Sequence, residues 1–248
     1  MQNKIIVGFP LYDGCTLVDF VGATQVFDAA DGFSPIWLSY KPSIKTAEGF
    51  IIDFTVQPSS CYSFDDHPPI DLLFVPGGGS DGVAGAIQDK TFMDFIWKTA
   101  PNAQWRGSVC TGAFILAAAG ILKNCSATTY WSQLATLNYY SKALNLNLTV
   151  TDDYYPRFMI HQDLKLFSGG GISSSLDLAL SLVTVIADAD TAMAAQLQIQ
   201  YQPSPPVEAG IPAVAPPAIV APQREGGVSY AEQLINALKH IPAAPLRK

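Results

Sequence analysis

The sequence predicts an α/β fold in which helices cover both faces of a mostly parallel sheet. Short apolar runs alternate along the chain with segments of helical periodicity, and this order is typical of parallel strands joined by right-handed crossovers. Three of the runs, at residues 5–9, 36–40 and 72–75, are mostly apolar without polar alternation, as strands buried on both faces require. With 248 residues, of which 49% are hydrophobic and 14% charged, the chain is expected to bury a sizeable core.

Five strands and five helices are predicted from these patterns. The predicted strands cover residues 5–9, 36–40, 72–75, 104–109 and 164–167. The predicted helices, in which apolar residues recur at helical spacing, cover residues 19–30, 89–99, 111–119, 173–187 and 190–199. Two more polar pieces, residues 46–54 and 153–162, are predicted as hairpins or flaps, the first turning at Gly49.

The composition changes after residue 201. Residues 202–222 contain seven prolines, and repeated prolines favour extended chain over continuous helix. We therefore expect residues 1–201 to form the α/β domain. Residues 202–248 are expected to add a proline-rich strap and a helix over residues 228–239, both packed on that domain. The apolar residues expected to dock the strap are Ile211, Val214, Ile219 and Val220.

Charge and cysteine content exclude several classes of protein. The net charge of −7 argues against a nucleic-acid binder, which normally presents a basic face, and against a DNA-binding regulator. The sequence contains neither a run of about 18 apolar residues nor a signal-peptide core, so no membrane partner is expected. Its four cysteines are widely spaced and form no zinc pattern. A reduced cytoplasmic protein without metal or cofactor is expected, with a structural disulfide as the alternative.

The most informative motif is Ser-Val-Cys-Thr-Gly at residues 108–112, between an apolar strand and an alanine-rich helix. This pattern is typical of a nucleophile elbow, a sharp turn that presents the central side chain to solvent at the end of the strand. The helix N-terminus would stabilise the thiolate of Cys110, which is the attacking form of the sulfur. A buried, inert cysteine is the alternative, and the elbow favours the nucleophile.

Glycines follow the predicted strand 72–75 directly. The N–H groups of Gly77 and Gly78 could face a ligand and form an oxyanion hole with the N–H of Thr111. A plain strand-to-helix turn is the alternative. A nucleotide site is not expected, because neither GxxxxGK[ST] nor a full GxGxxG pattern is present.

Asp19 lies within the apolar run Leu-Val-Asp-Phe-Val-Gly at residues 17–22, where the first helix is expected to begin. Partial burial there would raise the pKa of its carboxyl and suit it to proton transfer. A helix N-cap is the alternative that the local sequence leaves open.

Other candidate residues carry weaker signals. Tyr130 and Trp131 could line a pocket after the elbow helix, although aromatic pairs usually belong to a core. Ile172 follows a glycine turn that faces the same edge of the predicted sheet. No motif places any of the three histidines beside Cys110, so a cysteine–histidine protease pair is not predicted; they are His67, His161 and His240.

Together these motifs resemble the DJ-1/PfpI superfamily and, within it, the isonitrile hydratase group. The resemblance extends over about residues 5–220 and is carried by the runs at residues 17–22, 71–78, 108–113, 127–131, 168–172 and 198–206. It implies a flavodoxin-like three-layer sandwich and a homodimer, with Cys110 as nucleophile and Asp19 as the acid beside it. Thr111 stands where PfpI-type peptidases have histidine, which disfavours peptidase chemistry. Tyr130 stands where the hydratases tend to have histidine, which affects the expected substrate more than the reaction type.

The expected activity is hydration of an isonitrile to an N-substituted formamide through a thioimidate on Cys110. Asp19 is expected to move protons. The residues expected around the substrate are Gly77, Gly78, Thr111, Tyr130 and Ile172. Two alternatives use the same thiol: a glyoxalase-like activity on 2-oxoaldehydes, and a non-enzymatic redox or stress sensor.

Overall fold

The computed structural model describes residues 4–55, 60–151 and 155–245. Its strands are β1 (Ile5–Pro10), β2 (Phe33–Leu38), β3 (Ser43–Lys45), β4 (Ile51–Asp53), β5 (Cys61–Tyr62), β6 (Leu72–Val75), β7 (Trp105–Ser108), β8 (Ser126–Ala127), β9 (Thr149–Val150), β10 (Phe158–His161) and β11 (Leu166–Gly169). Its α-helices are α1 (Leu17–Ala29), α2 (Ser80–Gln88), α3 (Lys90–Thr99), α4 (Gly112–Ala118), α5 (Leu134–Ala143), α6 (Ser174–Ile186), α7 (Ala189–Gln198) and α8 (Pro217–Ala237). Short 3-10 turns cover Trp131–Gln133 and Leu238–His240.

A seven-stranded sheet forms the centre of the molecule, in the order β10-β11-β7-β6-β1-β2-β5. Only the β10–β11 pair at one edge is antiparallel among these neighbours. The predicted α/β class, with a mostly parallel sheet and helices around it, is therefore confirmed. Because β1, β6 and β7 are parallel neighbours, their carboxyl ends meet at one edge of the sheet, where such folds place ligands.

Phenylalanine side chains from three central strands pack together beneath that edge. The ring of Phe74 on β6 lies 5.2 Å from that of Phe9 on β1 and 5.3 Å from that of Phe167 on β11. Glycine at position 107 on β7 permits this packing, because a Cβ there would lie only 2.3 Å from the Phe167 ring. The core thus fixes the relative heights of the strands whose ends carry the candidate residues.

The predicted helices are present, but α2 and α5 were missed. Helix α2 has the sequence Ser-Asp-Gly-Val-Ala-Gly-Ala-Ile-Gln, whose two glycines lower the local helix propensity. One of them, Gly82, packs so closely on the loop between β1 and α1 that a Cβ would lie 2.6 Å from the carbonyl oxygen of Asp13. Tertiary contact therefore stabilises a helix that local propensity disfavours.

The strand and hairpin predictions differ from the structure mainly at their boundaries. Strand β2 begins three residues before the predicted start at residue 36. The strand predicted at residues 164–167 is observed as β11, Leu166–Gly169, because Lys165 adopts a positive φ of 52° in the preceding turn. In the first hairpin β3 and β4 are antiparallel and the turn does contain Gly49, with φ of 94°, but β3 precedes the predicted range. The second hairpin was predicted at residues 153–162. This range contains β10, which pairs in antiparallel fashion with β11 outside the range, and residues 152–154 lie outside the described residues.

The proline-rich segment ends earlier than expected. Helix α8 begins at Pro217 and contains Pro222, so the predicted extended chain up to residue 222 is wrong. Proline is tolerated at the first helical position, where its missing N–H would have no intrahelical partner. The expected docking also fails for Val214 and Ile219, which are 57% and 55% exposed.

Within the described residues, no helix is both long and apolar enough to cross a membrane. The four cysteines, Cys15, Cys61, Cys110 and Cys125, are all free thiols. The structural disulfide considered from the sequence is therefore absent.

Candidate active site

Cys110 lies in the sharp turn between β7 and α4. Its φ is 55°, a left-handed conformation that is uncommon for a residue with a side chain and is held only where surrounding contacts enforce it. The N–H of Cys110 donates to the carbonyl of Gly169 on β11 at 3.0 Å, and the N–H of Gly112 donates back to Val109 at 3.0 Å. The strained elbow inferred from the sequence is therefore present.

The thiol of Cys110 is not exposed, contrary to the expectation from the elbow. The residue is only 5% exposed. Burial, and then the nearby Asp19, raise the pKa of the Cys110 thiol well above its usual value. The Thr111 N–H and hydroxyl act in the opposite direction, but their effect is smaller than the desolvation of the sulfur. The expected net stabilisation of the thiolate by the short helix α4 is thus wrong, because burial dominates.

Asp19 is fully buried on the first turn of α1. Its Oδ2 accepts a hydrogen bond from the Gly77 N–H at 2.9 Å, while Oδ1 has no hydrogen-bond partner of standard geometry among the described residues. The N-cap interpretation is wrong, because the N-cap position belongs to Thr16 and the first helical N–H, that of Leu17, donates to Glu48. Asp19 instead connects α1 to the glycine loop after β6.

Burial raises the pKa of the Asp19 carboxyl to about 8, although hydrogen bonding from Gly77 and an interaction with the Cys110 thiol act to lower it. The carboxyl is therefore largely protonated at neutral pH. Since Oδ2 is occupied as an acceptor, the proton belongs on Oδ1. The site thus holds a neutral acid beside a neutral thiol, and the carboxyl can accept the thiol proton only after it has given its own proton away.

The glycine loop at residues 76–79 uses its N–H groups to position these side chains. The N–H of Gly77 donates to Asp19, the N–H of Gly78 donates to Thr111 Oγ1 at 3.1 Å, and the N–H of Gly79 donates to Gly14 O at 2.8 Å. The expected oxyanion hole would have needed the first two groups to face open space. Both are occupied by protein acceptors, so their observed role is to hold the acid and the Thr111 hydroxyl.

Glycine at position 77 lets the loop approach the elbow. A Cβ there would lie 2.6 Å from the Thr111 nitrogen and 2.8 Å from the Cys110 Cβ. Both distances are shorter than real Cβ contacts, so a larger residue would displace the elbow. The loop and the thiol are therefore packed as one unit.

A cavity of about 480 Å³ lies beside the elbow. Neither Cys110 nor Asp19 is among its lining residues, but Thr129 is, and the Thr129 Oγ1 donates to the Cys110 carbonyl at 2.8 Å. Its lining includes the half-buried aromatic pair Tyr130 and Trp131, together with Ile172. The pKa of Tyr130 is raised by burial and by its proximity to the Cys110 sulfur. The candidate residues Tyr130 and Ile172 thus share one cavity near the thiol, and the volume is typical of a small-molecule site.

Two tyrosines near the thiol were not found from the sequence. The hydroxyl of Tyr12, just after β1, donates to the carbonyl of Pro76 at 3.0 Å. The hydroxyl of Tyr230, on α8, lies 2.6 Å from the Gly78 carbonyl and 2.9 Å from Thr111 Oγ1. No motif marks either residue, and Tyr230 is 119 positions from its Thr111 partner.

The histidines have other surroundings. His161 Nε2 lies 2.8 Å from the Ser126 carbonyl, and the ring of His67 packs on Phe95 at 5.7 Å. His240 is exposed in the last 3-10 turn. Among the described residues there is also no group of three or more acidic, histidine or cysteine side chains that could hold a metal ion.

Comparison with known proteins gives the affiliation of this chain. The DJ-1/PfpI family model matches residues 5–184. The chain belongs to the DJ-1/PfpI family. It is 33% identical to the isonitrile hydratase of Pseudomonas putida over 221 residues, which cover 88% of each protein.

Solved structures agree with this family membership. A ThiJ/PfpI family protein from Pseudomonas syringae has a TM-score of 0.83 and 26% identity, covering 96% of this chain and 91% of that one. An AraC family transcriptional regulator from Pseudomonas putida has a TM-score of 0.63 and 20% identity, covering 79% of this chain and 100% of that one. The second similarity concerns the fold alone.

Proposed function

We propose that this protein hydrates isonitriles, R–N≡C, to N-substituted formamides, with Cys110 as nucleophile and Asp19 as proton donor and acceptor. The observation that carries the proposal is the buried pair itself: a thiol beside a carboxyl whose pKa is raised to about 8 and whose Oδ1 has no hydrogen-bond partner of standard geometry. An isonitrile needs a proton and a nucleophile at the same terminal carbon. A neutral acid adjacent to a thiol supplies both.

In the first step, the Asp19 carboxyl gives its proton to the terminal carbon of the isonitrile while the sulfur of Cys110 forms a bond to that carbon. The thiol proton passes to the Asp19 carboxylate. The product is the thioimidate Cys–S–CH=N–R, and Asp19 is again protonated. Covalent catalysis thereby divides a difficult hydration into easier steps.

In the second step, water adds to the thioimidate carbon. Asp19 accepts a proton from the water and returns its own proton to the nitrogen, which gives the tetrahedral Cys–S–CH(OH)–NH–R. The C–S bond then breaks as the C=O bond forms, and the hydroxyl proton returns to the sulfur. The sum is R–NC plus H₂O giving R–NH–CHO, with the thiol and the acid restored.

Thr111 supports the departing sulfur in this scheme. Its N–H and hydroxyl both favour the charged form of Cys110, and the hydroxyl lies 4.0 Å from Sγ. Such long contacts commonly tighten when charge develops on the acceptor. Because the N–H groups of Gly77 and Gly78 already have protein acceptors, we assign them the positioning of Asp19 and Thr111.

The R group is assigned to the cavity beside the elbow. Its volume of about 480 Å³ and its lining by Tyr130, Trp131 and Ile172 favour bulky aryl or alkyl isonitriles over the smallest members of the class. Aromatic walls supply apolar contact area and ring stacking to such a group. The substrate class proposed is therefore a hydrophobic isonitrile.

We further propose that the protein acts as a cytoplasmic homodimer in which residues 202–248 belong to the same functional unit as the α/β domain. The contacts of Tyr230 with Gly78 and Thr111 support the single unit. Exposed Val18 and Val21 provide apolar surface on α1, which packs against α6, and this surface supports self-association. Sedimentation of the purified protein would measure the oligomeric state.

The test is formamide production from cyclohexyl or phenyl isonitrile by the purified protein, followed by chromatography. We expect turnover by the wild type and by Cys61→Ala, which removes a thiol of the distant strand β5, and none by Cys110→Ala. Absence of wild-type turnover, or full activity of Cys110→Ala, would refute the proposal. Lactate formation from methylglyoxal, assayed in parallel, tests the glyoxalase alternative. The burial of Cys110 counts against an exposed redox sensor.

A further inference from the structure

Tyr230 brings a hydroxyl from α8 to the elbow. It lies beyond the proline-rich segment in the chain, and α8 packs against α2 and α5. The hydroxyl of Tyr230 lies 2.6 Å from the Gly78 carbonyl and 2.9 Å from Thr111 Oγ1, and Thr111 Oγ1 lies 3.1 Å from the same carbonyl. Three oxygen atoms are therefore mutually within hydrogen-bond distance.

The hydrogen atoms available to these oxygens decide what each can do. Each hydroxyl carries one hydrogen and the carbonyl carries none. When Tyr230 donates to Gly78 at the shortest of the three distances, it takes one of the two lone pairs of the carbonyl oxygen, and that oxygen competes less strongly for the Thr111 hydrogen. That hydrogen can then rotate toward Cys110 Sγ, 4.0 Å away. Without the Tyr230 hydroxyl, the Thr111 hydrogen would be drawn to the nearer and stronger acceptor, the Gly78 carbonyl.

We propose that Tyr230 is a positioning residue for Cys110: its hydrogen bond to the Gly78 carbonyl releases the Thr111 hydroxyl to stabilise the thiolate as it forms. The proposal rests on the proposed function only in taking Cys110 as the reacting thiol. It concerns a chain of two hydroxyls, and Tyr230 itself does not touch the sulfur or the substrate in this scheme.

Several ionisable groups face Cys110 from the elements around it. Asp19 faces it from α1, Tyr12 from the loop after β1, Tyr130 from the cavity and Tyr230 from α8. Burial raises the pKa of Tyr230 well above its usual value, so Tyr230 remains a neutral donor throughout the pH range of a thiol assay. The variants below leave the other three groups in place.

The experiment measures the rate of Cys110 alkylation by iodoacetamide as a function of pH, with mass spectrometry to resolve the four cysteines. We compare the wild type, Tyr230→Phe, Thr111→Val and the double variant. In Tyr230→Phe the sulfur loses one hydrogen bond that favours its charged form. Alkylation of Cys110 should therefore be about three- to tenfold slower at fixed pH, and the rise of the alkylation rate with pH should move upward by about 0.5–1 pH unit. Adding Tyr230→Phe to Thr111→Val should have no further effect, because the hydroxyl to be released is gone.

Tyr140→Phe is the matched control. The Tyr140 hydroxyl donates to the Leu234 carbonyl and also holds α8, but it contacts neither Gly78 nor Thr111 in the observed hydrogen bonds. We expect Tyr140→Phe to lower the melting temperature without moving the alkylation profile. Any of three results would overturn the positioning role. The alkylation profile of Tyr230→Phe could equal that of the wild type. Tyr230→Phe could shift the profile as much in the Thr111→Val background as it does alone, or Tyr140→Phe could shift it as much as Tyr230→Phe does. A wild-type Cys110 that never reacts would instead overturn the reactive thiol, and with it both proposals.

Discussion

The Gly77 N–H donates to Asp19 Oδ2 at 2.9 Å, and this single contact orients the buried carboxyl. Oδ2 is occupied by the backbone N–H, whereas Oδ1 can carry the carboxyl proton and face the thiol. A residue of the glycine loop and a residue of the first helix thereby determine together which atom of the carboxyl can do chemistry.

The first prediction concerns the pH dependence of isonitrile hydration. Only protonated Asp19 can give a proton to the substrate carbon, so kcat/KM should be constant at neutral pH. It should fall tenfold per unit above the pKa of about 8. The measurement is kcat/KM for formamide formation between pH 6 and 10. Asp19→Asn, which cannot donate a carboxyl proton, should be slower by a factor of about 10²–10⁴ at neutral pH. A rate that rises steadily through pH 9 would contradict the role of Asp19 as the acid.

The second prediction concerns stability. The Asp19 pKa is raised in the folded state from 3.8 to about 8, so the folded protein binds more protons than the unfolded chain between these values. Its contribution to the free energy of unfolding therefore falls as pH rises through that window and levels off above the folded-state pKa. Asp19→Asn removes this loss and can still accept the Gly77 N–H. Urea unfolding should show Asp19→Asn gaining stability over the wild type from pH 5 to pH 8, and a difference independent of pH would contradict this.

The third prediction concerns the close approach of the loop to the elbow. Gly77→Ala places a Cβ 2.6 Å from the Thr111 nitrogen, so it should destabilise the protein by about 1–3 kcal/mol and lower activity through displacement of the thiol. Gly85→Ala is the matched control, because nothing lies within 4 Å of its Cβ. In the interior of α2 it should stabilise by about 0.5–1 kcal/mol and leave activity intact. Chemical denaturation and turnover measure both effects, and a Gly77→Ala protein with wild-type stability would be inconsistent with the packing.

The fourth prediction concerns the cavity. Ile172→Trp should fill part of it and raise KM for a bulky aryl isonitrile about tenfold, while changing KM for methyl isonitrile by less than about twofold. Val207→Trp, at a position that is 69% exposed and does not line the cavity, is the control and should affect neither substrate. Equal effects of Ile172→Trp on both substrates would show that the R group binds elsewhere.

The sequence determined the parts of the molecule that depend on local pattern. The apolar runs identified the central strands β1 and β6, because a strand buried on both faces has no polar side to display. The small residues around Cys110 identified the elbow, because a sharp strand-to-helix turn needs them. Local pattern failed at α2, whose helix is held by close packing against Asp13, and at Pro222, which lies inside a helix where prolines were expected to prevent one.

Only the tertiary structure decided the chemical state of the site. The pKa of the Cys110 thiol depends on how much protein surrounds it, and the segments that bury it come from distant parts of the chain. The occupation of the Gly77 and Gly78 N–H groups depends on where Asp19 and Thr111 point, and the contact of Tyr230 joins residues 119 positions apart. Desolvation and hydrogen-bond pairing are summed over everything packed around a group, whereas a motif records only its neighbours in sequence. For this reason the sequence could single out Cys110 as a candidate nucleophile, whereas the fold determined that its thiol is buried beside the Asp19 carboxyl.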